Sequence, residues 1–203
     1  MKKVLLATNN KAKIERYENL VKIAGLSVLL ETPKSVGIEI IDVVEDEKTL
    51  EGNALKKARA YFGKVEIPIL SNDTGFWVDG EGLIDAPKRV ALQGEDENAL
   101  SIEEKGKLMA QFWKNIATKY GGKVDAAWIE AFVLIDTKGI VSTVHTKREV
   151  VLTNQEHGKT HPQFPIRALY YSKATGKPSL QQTKEEEMLE MKPIVDALKE
   201  LLG

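Results

Sequence analysis

No cysteine occurs in the 203 residues. That excludes disulfides, thiolate nucleophiles and Cys-ligated zinc, and it fits a reducing compartment, so a cytoplasmic protein is expected. Neither sign of charge is in excess: 29 Lys and Arg stand against 30 Asp and Glu, a net charge of −1. No global field draws such a chain to nucleic acid or to an acidic membrane, and neither is expected as a partner. Long apolar runs are missing too. The first ends at Ala7, too short for a signal-peptide core, and none approaches the length of a transmembrane helix. There is no internal repeat and no low-complexity segment. No Walker A loop, H-E-x-x-H or G-x-S-x-G is present, and Thr175-Gly176-Lys177 lacks the flanking glycine spacing of a phosphate loop, so it reads as a turn. At 42% hydrophobic and 29% charged, the composition is that of a soluble globular protein, long enough for one large domain or two small lobes.

What is present begins with Val4-Leu5-Leu6-Ala7, an apolar run that fits a buried strand. It turns polar at Thr8-Asn9-Asn10 and enters a helical pattern at Ile14, Tyr17, Leu20, Val21 and Ala24, closed by Gly25. Strand, polar turn and helix aim free backbone N–H groups at an anion. Thr8, Asn9 and Asn10 can cap the helix or donate to phosphate oxygens, and Lys13 adds a point charge one turn in. An ordinary capped helix has the same spacing.

Residues 26–30 read as a second strand ended by Thr32-Pro33, and 36–44 as an apolar, extended stretch. Glu45, Asp46 and Glu47 then precede a helix with Leu50, Ala54, Leu55, Ala58, Tyr61 and Phe62 on one side and Gly63 at its end. Acidic residues there are favoured by the helix dipole alone. Ile67-Pro68-Ile69-Leu70 reads as a short buried strand ending in Ser71-Asn72-Asp73-Thr74-Gly75. A carboxylate at the end of a buried strand is a common site position in α/β proteins, and an Asx-turn uses the same residues. Phe76-Trp77-Val78 alternates, Asp79-Gly80-Glu81-Gly82 is a turn, and Asp85-Ala86-Pro87-Lys88-Arg89 reads as an exposed basic loop.

Ser101-Ile102-Glu103-Glu104 is a capping box opening a helix whose Met109, Phe112, Trp113, Ile116 and Tyr120 form a core stripe stopped by Gly121-Gly122. The apolar run 127–135, interrupted by Glu130, and the alternating run 140–152 flank a turn at Asp136-Thr137-Lys138-Gly139 and predict a long β-hairpin. Residues 153–176 have no helical period. His157 and His161 have the spacing of a zinc pair on a helix, but Gly158 and Pro162 argue against a helix and no third ligand is evident. Thr183-Lys184-Glu185-Glu186 is a second capping box, and its helix is expected to restart at Pro193.

Two clusters can meet at one sheet edge: Thr8, Asn10 and Lys13, suited to phosphate, and Glu45 and Asp73, suited to a hard divalent ion. Lys57, two turns into the second helix, can reach the same place. Together they suggest Mg²⁺-dependent attack of water on a polyphosphate.

Three segments resemble the inosine triphosphate pyrophosphatase-like family, which hydrolyses non-standard purine nucleoside triphosphates. Thr8-Asn9-Asn10-Lys11-Ala12-Lys13 is similar to its T-x-N-x-x-K. Glu45, Thr49 and Asn53-Ala54-Leu55-Lys56-Lys57-Ala58 resemble its acidic residue and E-N-A-x-x-K-A helix, with Gly52 in place of the usual Glu. Ser71-Asn72-Asp73-Thr74-Gly75-Phe76-Trp77-Val78-Asp79 looks like its D-D-[ST]-G-L-x-V-D, with Ala86-Pro87 following. The resemblance implies a single domain over 1–203 with two lobes, an elongated mixed β-sheet flanked by helices, a site in the central cleft, and a homodimer. It implies that Thr8, Asn9, Asn10, Lys13, Lys57 and Thr74 contact the substrate and that Glu45 and Asp73 hold Mg²⁺. It also implies that Asp73 orients or deprotonates the water, assisted by Lys13 and Lys57, as the α–β anhydride is cleaved to a monophosphate and pyrophosphate.

The C-terminal half departs from that family. Its F-G-[YW]-D is replaced by Phe164-Pro165-Ile166-Arg167, and its S-H-R by Glu190-Met191-Lys192-Pro193. Phe164 can still stack on a base. Arg167 has only donors, which suit the O6 and N7 acceptors of a keto purine, with Lys192 or Gln163 assisting; pairing with Glu185 or Glu186 is the alternative. The changed pocket leaves two other functions in view: a Maf-like pyrophosphatase acting on another modified nucleotide, and a nucleotide-binding sensor without turnover.

Overall fold

The computed structural model describes residues 1–84, 92 and 99–203. The expected basic loop at 85–89, with Ala86-Pro87, lies outside them. The fold is mixed α/β. In chain order the elements are β1 (Lys2–Leu6), α1 (Lys11–Ile23), β2 (Val28–Glu31), α2 (Leu50–Tyr61), β3 (Ile69–Val78), β4 (Gly82–Ile84), α3 (Ile102–Lys119), β5 (Lys123–Ile135), β6 (Val141–Thr153), β7 (Tyr170–Ser172) and α4 (Lys184–Leu202). Short 3-10 turns cover Pro165–Leu169 and Ser179–Gln181.

The strands form one seven-stranded sheet ordered β2-β1-β3-β5-β6-β7, with β4 paired to β3. β1 runs parallel to both β2 and β3, while β3–β4 and β6–β7 are antiparallel. The parallel pairs bury β1 and explain its unbroken apolar run, since Val4, Leu5 and Leu6 are all buried. Helix α1 ends as its sequence predicts. Gly25 sits at φ 70, its N–H donates to the Lys22 carbonyl at 3.0 Å, and Leu26 N–H reaches the Val21 carbonyl at 3.2 Å, which is a Schellman closure.

The chain divides into two compact units. The first comprises Met1–Thr74, Glu130–Thr146 and Lys192–Gly203. Its core packs Leu5 and Ile69 from the sheet, and Ala7 just beyond β1, with Ala54, Ala58 and Tyr61 of α2 and Val133 and Ile135 of β5. Tyr17 of α1 meets Phe132 edge-on at 5.7 Å. The second comprises Gly75–Ile129 and Lys147–Met191. Here Phe76 contacts Trp113 at 5.1 Å and Trp128 at 4.6 Å, and Val150, Leu152, Ile166 and Leu169 complete the core. Both capping boxes form: Ser101 with Glu104, and Thr183 with Glu186. The 123–135 and 141–153 strands are joined by a turn in which Asp136 Oδ1 accepts from Lys138 and Ile140 N–H, each at 2.8 Å.

Two expectations need correction. Residues 67–75 are not a short strand ending in a turn. A single strand runs from Ile69 to Val78, so Asp73 lies inside it and makes no Asx-turn. The polar run stays extended because its side chains are satisfied: Ser71 donates to the Ala54 carbonyl, and Asp73 has a lysine and an amide as partners. The stretch 36–44 opens on a turn, with Val36 N–H bonded to Thr32 O and Ile38 N–H to Pro33 O, and residues 38–47 belong to no helix or strand. Finally, α4 does not restart at Pro193 but continues through it. The carbonyl that loses its donor belongs to Leu189, a residue 57% exposed, where water can replace the bond.

Candidate functional site

A pocket of about 230 Å³ in the first unit is lined by Thr8, Asn9, Asn10, Lys13, Glu45, Lys57, Tyr61, Asn72 and the segment at 41–43. The β1–α1 turn supplies one wall. Asn10 is the N-cap of α1, its side-chain oxygen accepting from Lys13 N–H at 3.2 Å, and Thr8 Oγ1 accepts from Asn10 N–H at 3.2 Å. The cap uses the amide oxygen of Asn10 and leaves its NH₂ group as a donor. Capping and anion donation are therefore compatible in one residue.

Helix α1 carries Lys13 over β3, where its Nζ donates to Asn72 Oδ1 at 3.2 Å; Asn72 Nδ2 in turn donates to Thr74 Oγ1 at 3.0 Å. The Lys13 ammonium is held below the ordinary lysine value, first by burial and next by the neighbouring Lys57 charge, against the opposing pull of Asp73, Glu130 and Glu45. Behind it, Glu130 is fully buried on β5 and pairs with Arg16 at 3.1 Å.

Helix α2 supplies Lys57, whose Nζ lies 2.9 Å from Asp73 Oδ1 and 3.2 Å from Glu45 Oε2. Asp73 is 7% exposed. Its second oxygen accepts from Asn53 Nδ2 at 3.3 Å. Thus Glu45, Lys57 and Asp73, separated in sequence, meet as expected, with Thr8, Asn9, Asn10 and Lys13 around the same pocket. Asn53 and Asn72 were visible only as members of motif strings, and their polar contacts give them roles the strings do not state. Glu130 had one signal, a lone charge in an apolar strand.

Among the described residues, no group of three or more His, Asp or Glu side chains is placed to hold a metal. Glu45 and Asp73 nevertheless converge on one cation, the Lys57 ammonium. Hard carboxylate oxygens in that number fit Mg²⁺, which takes one or two protein carboxylates and completes its shell with phosphate oxygens and water.

The remaining candidates stand elsewhere in the chain. Phe164, in the second unit, is 45% exposed and stacks on Trp128 at 5.6 Å with 25° between the rings. Arg167 pairs with Glu187 at 2.6 Å, rather than with Glu185 or Glu186, and its Nε donates to Ser179 at 3.2 Å. Lys192, in the first unit, pairs with Asp196 one turn along α4. His157 and His161 form no zinc pair. His157 Nε2 lies 3.0 Å from Thr153 Oγ1, and His161 Nδ1 accepts from Gln163 N–H.

Fold and pocket define a mixed α/β protein with two lysines and two carboxylates gathered beside a capped helix start. A model of the Ham1 family matches residues 4–201, and the chain belongs to that family. It is 36% identical over 108 residues to a dITP/XTP pyrophosphatase of Clostridium tetani, an alignment spanning 52% of each chain. It is 31% identical over 150 residues to one of Sulfurimonas denitrificans, covering 70% of this chain and 69% of that one. Among solved structures, a HAM1 protein from Coxiella burnetii shares the fold with a TM-score of 0.72 at 16% identity, covering 98% of this chain and 100% of that one.

Proposed function

We propose that the chain is a Mg²⁺-dependent nucleoside triphosphate pyrophosphatase acting on non-standard purine nucleotides such as inosine, deoxyinosine and xanthosine triphosphates, releasing the monophosphate and pyrophosphate. The observation that carries this is Lys57 held between Glu45 and Asp73 in a pocket that Thr8, Asn9, Asn10 and Lys13 also line. Likeness to relatives named dITP/XTP pyrophosphatase supports the substrate class.

Glu45 and Asp73 would hold the Mg²⁺, which when bound neutralises charge on the polyphosphate. Asp73 accepts the proton of the attacking water. Its two oxygens are fixed by Lys57 and Asn53, so it has one orientation from which to do so. Thr8, Asn9, Asn10 and Thr74 are the hydrogen-bonding residues of the triphosphate, and Lys13 and Lys57 are its point charges. Those two lysines oppose the charge that builds on the pyrophosphate leaving group.

For the base we propose Phe164 as a stacking platform, backed by Trp128. The bonds of Arg167 to Glu187 and Ser179 use its Nη2 and Nε, leaving Nη1 as a donor toward keto-purine acceptors. A cytoplasmic homodimer is the proposed setting.

Asp73→Asn tests the assignment against a sensor without turnover. It should lower hydrolysis of inosine triphosphate by about 10²–10⁴-fold, the usual worth of a general base, while equilibrium dialysis still detects the nucleotide bound. Unchanged hydrolysis would remove Asp73 from the mechanism.

A further inference from the structure

Glu45 and Asp73 come from different elements, an irregular loop and a sheet strand, and Lys57 of α2 bridges their side chains. A second side chain of α2 ties the loop backbone itself to Asp73. Asn53, on the first turn of α2, is 4% exposed and uses both ends of its amide. Its Oδ1 accepts from the backbone N–H of Glu47 at 3.0 Å, and its Nδ2 donates to Asp73 Oδ2 at 3.3 Å. The orientation of the amide is forced, because a backbone N–H can only donate and a carboxylate can only accept. The loop that carries Glu45 and the strand that carries Asp73 are thereby pinned to one group.

Gly52 completes the arrangement. A Cβ at this position would lie 2.9 Å from Glu47 Cβ and 3.1 Å from Thr49 Oγ1. The nearest obstacle is the root of the Glu47 side chain, which cannot swing aside, so any larger residue moves the loop at 45–47. The bare glycine lets Glu47 sit close enough for its N–H to reach Asn53.

We infer that Asn53 is the positioning residue of the cation site, setting the separation of Glu45 and Asp73 through the Glu47 backbone, and that Gly52 is the space this clamp requires. The inference rests on the reading of Glu45 and Asp73 as cation ligands. Asn53 acts through other residues, one end of its amide taken by the Glu47 N–H and the other by Asp73. Its effect appears in how well two carboxylates act on one ion, as with groups that orient metal ligands elsewhere.

Mn²⁺ affinity of the full chain without nucleotide, followed by loss of the free-ion electron paramagnetic resonance signal, tests this directly. Asn53→Ala and Gly52→Ala are both expected to weaken Mn²⁺ binding by about 10–100-fold. The apparent metal constant for hydrolysis should rise in parallel, with the nucleotide KM at saturating metal little changed. Wild-type Mn²⁺ affinity in the folded variants would overturn the clamp. Gly52→Ala, whose added methyl faces the loop rather than the core, decides the matter if Asn53→Ala does not fold. A wild-type chain that binds no Mn²⁺ would instead overturn the cation site itself, before either variant is compared.

Discussion

Lys13 holds its charge against resistance. Burial and the Lys57 ammonium both push its proton off, and the carboxylates of Asp73, Glu130 and Glu45 only partly oppose them. Its folded value therefore lies below its unfolded one. The sign follows: the charged form is penalised in the fold below the folded value, and that penalty is lost as pH rises through it toward the ordinary lysine value. A polyphosphate beside Lys13 would raise that value again. Binding of inorganic tripolyphosphate at alkaline pH should then take up protons, read by calorimetry in buffers of different ionisation enthalpy, and Lys13→Met should abolish the uptake. Equal uptake by both proteins would show that Lys13 does not face the anion. Residue types and their order in three motif-like segments made Thr8, Asn10, Lys13, Glu45, Lys57 and Asp73 legible as candidates, although a cap, a helix dipole or a turn accounts for most of them taken singly. Asn53 and Asn72 were not legible as participants: the job of an amide depends on which donor and acceptor the fold places beside it, and here both partners are distant in sequence.

Elements whose ends are written locally were the easiest to anticipate. Helix α1 has its cap and its Schellman glycine, and α3 and α4 have their capping boxes. The ends of β3 were harder, since a polar run reads as a turn until tertiary partners for Ser71 and Asp73 are known. Continuity of α4 through Pro193 was likewise settled by packing: Ile194, Val195 and Leu198 are all buried beyond the proline. One glycine inside a helix has a packing cause. At Gly106 of α3 a Cβ would fall 2.7 Å from both Cα and O of Pro162, a backbone that cannot rotate away. Alanine normally stabilises a helix by about 1 kcal/mol over glycine. Here overpacking of about 1–3 kcal/mol opposes it. Gly106→Ala should lower the unfolding free energy by up to about 2 kcal/mol in urea titration; a gain in stability would mean that the segment at 162 yields freely.

For the whole molecule, parallel pairing of β1 with β3 explains why chemistry gathers where it does. The turn after β1 and the C-terminal half of α2 both deliver polar groups to one pocket beside β3. Among the described residues no helix is long and apolar enough to cross a membrane. Family membership accounts for this architecture. The most direct measurement is the product balance when deoxyinosine triphosphate is incubated with the chain and Mg²⁺. One pyrophosphate for each deoxyinosine monophosphate, with no orthophosphate, is the predicted result. Orthophosphate with deoxyinosine diphosphate would place the cut at the β–γ bond and contradict the account.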